Sequence, residues 1–143
     1  MKKNPKYIIL LVVSKEYKMS VLVKESLSKN VDLNLHGING YVDYRRLREQ
    51  LGIRSIKLAK AIGKTQRYLQ KNPQAEGIQK ELRKLAYLMV LLKEMLGSRE
   101  EISIWLNSPN PDYEGLTPLE IITQGKIDSL TRYLEDIQKG SLT

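Results

Sequence analysis

From Val42 onward the apolar residues recur at intervals of three and four, the period of a helix with one buried side. Tyr44, Leu47 and Leu51 form the first stripe, with Arg45, Arg46, Arg48 and Glu49 outward and Asp43 placed to cap. Gly52 ends this helix. Ser55 is expected to cap a second, whose apolar side is Ile56, Leu58, Ala59 and Ile62 and whose end is Gly63. Thr65 can cap a third helix, which Pro73 stops.

Glu76 to Leu96 reads as one long helix, carrying Ile78, Leu82, Leu85, Leu88 or Met89, Leu92 and Met95 or Leu96. Its segment Leu88-Met-Val-Leu-Leu92 is apolar on every side and must be buried all round. Either the chain's own core covers it or a second copy does, and a homodimer contact is the expectation. Gly97 ends the helix, and Ser98-Arg-Glu-Glu101 has the form of a capping box that starts the next. A last helix carries the stripe Ile127, Leu130, Leu134 and Ile137, with Gly140 following as its C-terminal cap. Every readable element beyond residue 41 is helical, with no repeats and no low-complexity tract, so the fold class is mainly α.

The first 40 residues read as an N-terminal extension and linker. Tyr7-Ile-Ile-Leu-Leu-Val-Val13 is an apolar run, far short of the roughly 20 residues that a membrane helix needs. No small-residue cleavage site follows it, so it does not read as a signal peptide. It is either a short buried strand or a segment covering a partner chain. Met19 is an alternative start. Leu22, Val23 and Leu27 could line a short helix, and Val31 to Gly40, with two Asn and two Gly, reads as linker.

Composition removes several kinds of chemistry. With no cysteine there is no disulfide, thiolate zinc site or Cys nucleophile, a pattern that fits the cytoplasm, the expected localisation. His36 is the only histidine and lies beside Gly37, where a loop residue is expected. No nucleophile–base pair or phosphate-cradling glycine loop is present, and Ser98 and Thr117 are accounted for as caps. No catalysis and no cofactor are expected. Charge divides the chain. Residues 1–73 hold 16 Lys and Arg against 5 Asp and Glu, a balance of +11, whereas residues 74–143 hold 8 against 11, a balance of −3. The N-terminal half suits a polyanion, the C-terminal half a different partner.

Residues 41–73 have helix-turn-helix spacing. Ala59, Gly63 and Leu69 supply a small residue at a close helix crossing, a turn glycine and an apolar anchor. In that arrangement the second helix enters the major groove by its first residues, so Lys64, Thr65, Gln66, Arg67 and Lys71 would face DNA. Gln and Arg can read base edges, while Lys mostly positions on phosphate. The same pattern also fits a packing module whose basic face is merely solvated.

The most irregular stretch is Trp105-Leu-Asn-Ser-Pro-Asn-Pro-Asp-Tyr-Glu-Gly-Leu-Thr-Pro-Leu119, with the only tryptophan and three of the five prolines. A helix should end near Asn107, because Pro109 and Pro111 lack a backbone donor and disfavour helical geometry before them. Thr117-Pro-Leu-Glu120 should restart one, with Thr as cap, Pro in the first turn and Glu three residues on. The result is an ordered corner that buries Trp105.

This stretch resembles the C-terminal signature of the Xre/MbcA/ParS-type antitoxins, on Trp105, Leu106, Pro109, Asn110, Gly115, Thr117, Pro118, Leu119 and Ile122. Tyr113-Glu114 departs from it, standing where a smaller apolar and polar pair is expected. The resemblance extends over residues 42–140 and is strongest from 98 onward. It implies a helix-turn-helix-like module at 41–73 and a small helical toxin-binding domain at 74–143. It further implies a partner toxin of the RES type, which consumes NAD and which the antitoxin blocks without chemistry of its own. The last helix and tail would lie nearest that toxin, through Arg132, Asp136, Lys139 and Gly140, which stand off the apolar stripe. The expected partners are that toxin, operator DNA through which the operon is autoregulated, and a second copy of the chain, with no membrane. The alternative is a stand-alone dimeric helix-turn-helix regulator, in which the C-terminal half serves only dimerisation.

Overall fold

The computed structural model describes residues 33–37 and 39–140. The apolar run at 7–13, Met19, the stripe at 22–27 and the last three residues lie outside them. Among the described residues seven α-helices follow in order: α1 (Tyr44–Leu51), α2 (Ser55–Ala61), α3 (Gln66–Lys71), α4 (Glu76–Leu96), α5 (Arg99–Leu106), α6 (Pro118–Thr123) and α7 (Ile127–Gln138), with a 3-10 turn at Pro111–Tyr113 between α5 and α6. The fold is mainly α. Among the described residues, the only β-type pairing is an isolated antiparallel bridge between His36 and Val42, and no helix is long and apolar enough to cross a membrane.

The helix starts follow largely from side-chain oxygens that accept the orphan N–H groups of a first turn. Asp43 accepts from the Arg45 N–H at 2.9 Å, Thr65 from Tyr68 at 3.1 Å and Ser98 from Glu101 at 3.1 Å. Ser55 does not act this way. Ile53 is tucked into the core, so the extended residue before α2 is Arg54, which provides no side-chain cap, and Ser55 already belongs to the first turn. Ile56 also departs from expectation, being 57% exposed. Leu58, Ala59, Ala61 and Ile62 take the buried side of α2, and a residue two positions from Leu58 points elsewhere on a helix.

Helix α4 is the axis. It packs against α5 and α7, while α2 packs against α3 and α6. One buried cluster runs from Leu33 to Ile137 and draws on every α-helix. Residues 33–35 take part in it: Leu33 and Leu35 are buried, so this part of the expected linker is docked. Arg46 fastens the segment, donating to Asn34 Oδ1 at 2.9 Å and to the His36 carbonyl at 2.6 Å.

The deepest polar link is Gln79 on α4, which is 1% exposed. Its Oε1 accepts from the Val42 N–H at 3.0 Å, and its Nε2 donates to the carbonyls of Val42 at 3.1 Å and Pro73 at 2.8 Å. A single amide thus ties the entry to α1 and the exit from α3 onto the central helix. Buried backbone groups of this kind must be paired.

The all-round apolar segment of α4 is mostly covered from within. Leu88, Met89, Leu91 and Leu92 are buried by the chain's own helices, and only Val90 is exposed. A second copy is not required to cover Leu88 to Leu92.

Replacing Gln79 with Leu strands three backbone groups. The expected loss is about 2–4 kcal/mol of stability, read as a fall in melting temperature of the order of 10 °C. A melting temperature within a degree or two of the parent would mean that water satisfies those groups instead.

Candidate functional site

Two surfaces stand out, and the first is built on the corner after α5. Trp105 ends its helix 2% exposed, beneath a connection whose backbone turns sharply. Glu114 and Gly115 both have positive φ, 55° and 86°. The glycine adopts this at little cost, whereas a non-glycine residue must be held there.

Asn110 is the centre of that hold. It is 2% exposed, and its backbone N–H donates to the Leu116 carbonyl at 3.0 Å while its carbonyl accepts from Tyr113 and Gly115, both at 3.0 Å. Its Oδ1 accepts from the Asp112 N–H at 2.9 Å, and its Nδ2 donates to the Tyr133 hydroxyl at 3.3 Å. The Tyr133 hydroxyl in turn donates to Asp112 Oδ2 at 2.9 Å. Tyr113 meets Tyr133 edge-on, with ring centroids 5.4 Å apart and planes at 68°. The corner is therefore closed by one asparagine and docked onto α7 by two tyrosines. The departure at Tyr113-Glu114 acquires a local reason, since Tyr113 supplies the ring contact and Glu114 the left-handed turn.

The exit of the corner is a complete capping box. Thr117 Oγ1 accepts from the Glu120 N–H at 3.1 Å, and Glu120 Oε1 accepts from the Thr117 N–H at 3.0 Å. The Thr117 backbone N–H, and after it the Thr117 hydroxyl, favour the ionised carboxylate and hold the Glu120 carboxyl below its usual range. Pro118 takes the first helical position and is buried.

This framework presents α7. Ile127, Leu130, Leu134 and Ile137 are buried, while Arg132, Lys139 and Gly140 are exposed and Asp136 is half-buried. The side chains of Arg132, Asp136 and Lys139 have no hydrogen bond or ion pair among the described residues. Gly140 has φ 77° and donates to the Ile137 carbonyl at 2.9 Å, which closes the helix end.

The second surface is the basic side of α3. Lys64, Thr65, Arg67 and Lys71 are exposed and Gln66 is half-buried, while Leu69 anchors the helix in the core. Lys64, Arg67 and Lys71 carry no ion pair among the described residues. Their helix is short, six residues from Gln66 to Lys71. Tyr68, 44% exposed, adds an aromatic group among these cations that the spacing argument did not single out. Among the described residues no cluster of His, Asp and Glu is arranged to hold a metal ion.

The C-terminal surface has a counterpart among known protein families. Residues 91–140 match the antitoxin Xre/MbcA/ParS C-terminal toxin-binding domain. The matched residues begin in the second half of α4 and contain α5, the corner, α6 and α7, so the asparagine-centred corner and the exposed side of α7 both fall inside the match. The match supports an antitoxin role with a toxin partner. It does not reach α1–α3. No curated protein and no solved structure matched the chain.

Two substitutions separate framework from surface. Trp105→Ala removes a fully buried ring and should cost about 3–5 kcal/mol. Asn110→Ala should cost about 1–3 kcal/mol by leaving the Asp112 N–H and the tyrosine pair short of a partner. Thermal melting checks both. An unchanged melting temperature with lost partner binding would make Trp105 a contact residue instead.

Proposed function

We propose that the protein is the antitoxin of a type II toxin–antitoxin pair, that its toxin is of the RES type and consumes NAD, and that it represses its own operon through the α2–α3 module. The observation that carries the antitoxin reading is the toxin-binding domain at residues 91–140. The family resemblance of the Trp105–Leu119 stretch supports the RES type. The antitoxin acts by covering the toxin's active site and contributes no chemistry. A net charge of −3 over residues 74–143 complements a pocket built to hold the phosphates of NAD, which favours fast and selective docking.

Placement at α7 and the tail rests on available surface. Arg132 and Lys139 are exposed and unengaged among the described residues, Asp136 lies beside them, and Gly140 ends the helix. Deleting Lys139 to Thr143 should spare the fold, because the buried stripe is complete at Ile137, while weakening neutralisation. The measurement is growth on co-expression with the toxin encoded by the neighbouring gene. Full rescue by the truncated chain would move the contact off the tail, and rescue by residues 1–73 alone would place neutralisation in the opposite half.

DNA binding rests on Lys64 just before α3 and Arg67 and Lys71 within it, exposed and without an ion pair among the described residues, and on the +11 balance of residues 1–73. Each neutralised phosphate adds about −0.9 to the log–log slope of affinity against salt. Lys71→Ala should therefore flatten that slope by about 1 with little change in sequence preference, whereas Arg67→Ala or Gln66→Ala should relax preference. Affinity for the upstream DNA that ignores all three substitutions would reduce the module to packing. The stand-alone regulator is the second reading, and an adjacent gene that encodes no toxin would favour it.

A further inference from the structure

A cavity of about 330 Å³ lies between the entry to α1 and the exit from α3, outside the residues assigned to either surface. Its walls include Asn39 and Tyr41 before α1, Arg45 in the first turn of α1, and Pro73 and Gln74 after α3. Two backbone pairings shape the first wall: the Asp43 N–H donates to the Leu35 carbonyl and the Gly37 N–H to the Tyr41 carbonyl, both at 2.8 Å. Gln79 holds the two walls together, because its one amide bonds both the Val42 backbone and the Pro73 carbonyl. The cavity is therefore a fixed feature beside the end of α3, where Pro73 follows Lys71 by two residues.

The charged side chains of this cavity are two arginines, Arg45 and Arg46, against one aspartate, Asp43, a balance of +1. Asp43 and Arg46 answer each other. Asp43 Oδ2 lies 3.6 Å from Arg46 Nε, and Arg46 also donates to Asn34 Oδ1 and the His36 carbonyl. Arg45 is the cation left over, exposed and with no ion pair or side-chain hydrogen bond among the described residues. Its guanidinium carbon lies 4.9 Å from the centroid of the buried Tyr44 ring. Stacking on an aromatic face fixes the direction of the guanidinium and leaves its N–H fork for an outside acceptor. Tyr41, 41% exposed, adds a hydroxyl with no partner among the described residues, and Asn39 and Gln74 add amides. An arginine fork with a hydroxyl and amides beside it is a donor set that matches the oxygens of a phosphate.

We propose that this cavity seats one backbone phosphate of the DNA duplex that α3 enters, held by the Arg45 guanidinium and the Tyr41 hydroxyl. The inference rests on the DNA reading of α3 and adds to it a contact outside that helix. Phosphate contacts fix register and orientation without reading sequence, so a seat at the end of α3 sets the angle at which the helix lies in the groove. The segment before α1, whose composition marks it as linker, then forms part of the interface. A free phosphate would meet the same donors. The +11 balance of residues 1–73 and the place beside Lys71 favour the polyanion as its source.

The test measures affinity of the full chain for its upstream DNA across salt concentrations, using duplexes in which single phosphates are replaced by neutral methylphosphonates. Arg45→Gln should flatten the log–log salt slope by about 1. It should also weaken binding about tenfold at low salt, with sequence preference unchanged. Arg45→Lys should keep the slope, and Tyr41→Phe should keep it while weakening binding about threefold. One methylphosphonate position should weaken the parent yet leave Arg45→Gln unaffected, and it should differ from the position coupled to Lys71. If Lys71→Ala flattens the slope and Arg45→Gln does not, the DNA reading stands and the seat is wrong. A parent with no affinity for that DNA overturns both. Inhibition by inorganic phosphate beyond that of chloride at equal ionic strength, lost in Arg45→Gln, would make the cavity a free-anion site and overturn the duplex as its ligand.

Discussion

A connection rich in proline leaves backbone groups without helical partners, and in this protein the side chain and backbone of Asn110 gather them. The residue is almost wholly buried, yet it engages Asp112, Tyr113, Gly115, Leu116 and Tyr133. An unpaired buried amide is costly, and a fully paired one fixes a unique geometry. Because Tyr133 belongs to α7, the same network that closes the corner sets the last helix against it. The exposed side of α7 is thereby a held surface with few conformations to lose when a partner docks, which favours affinity.

Gln79 plays the equivalent part at the other end of the molecule. It binds the strand-like entry at Val42 and the exit at Pro73 to α4, and so seats the basic module on the helix whose far end enters the residues that match the toxin-binding family. The two regions also touch directly: α2 packs on α6, and a β-carbon at Gly125 would lie 3.7 Å from the Ala61 carbonyl oxygen. With one buried cluster from Leu33 to Ile137, the cation-bearing α3 and the exposed side of α7 are surfaces of a shared core.

Local chemistry made much of this fold legible in advance. Asp43, Thr65 and Thr117 carry oxygens that can serve an N-terminus, and each caps the helix that follows it. Pro109 and Pro111 forced the break after α5, and the stripe at Ile127, Leu130, Leu134 and Ile137 is the buried side of α7. Features that depend on distant chain were not legible. Ser55 has a capping side chain, but burial of Ile53 shifts the helix start by one residue. Leu33 and Leu35 sit among turn formers, and only the docked α1 and Gln50, which donates to the Leu33 carbonyl at 2.9 Å, show why they are inside. Gln79 gave one signal, a polar residue on the apolar side of α4 next to Ile78, which periodicity counts as an ordinary outward position. Leu88 to Leu92 read as too apolar for one chain because the number of helices surrounding α4 is a tertiary property. At the candidate site the motif residues were visible, whereas the Tyr113–Tyr133 contact and the central role of Asn110 required the fold.

The claim that matters most is that the surface held by the Asn110 network, on α7, is where the toxin binds. Hydrogen exchange of the full chain, alone and saturated with its partner toxin, measures this residue by residue. The account predicts added protection over Ile127–Gln138 and on through Lys139 and Gly140, with α1–α3 unchanged. Protection confined to residues 33–73, with α7 exchanging as in the free chain, would contradict it.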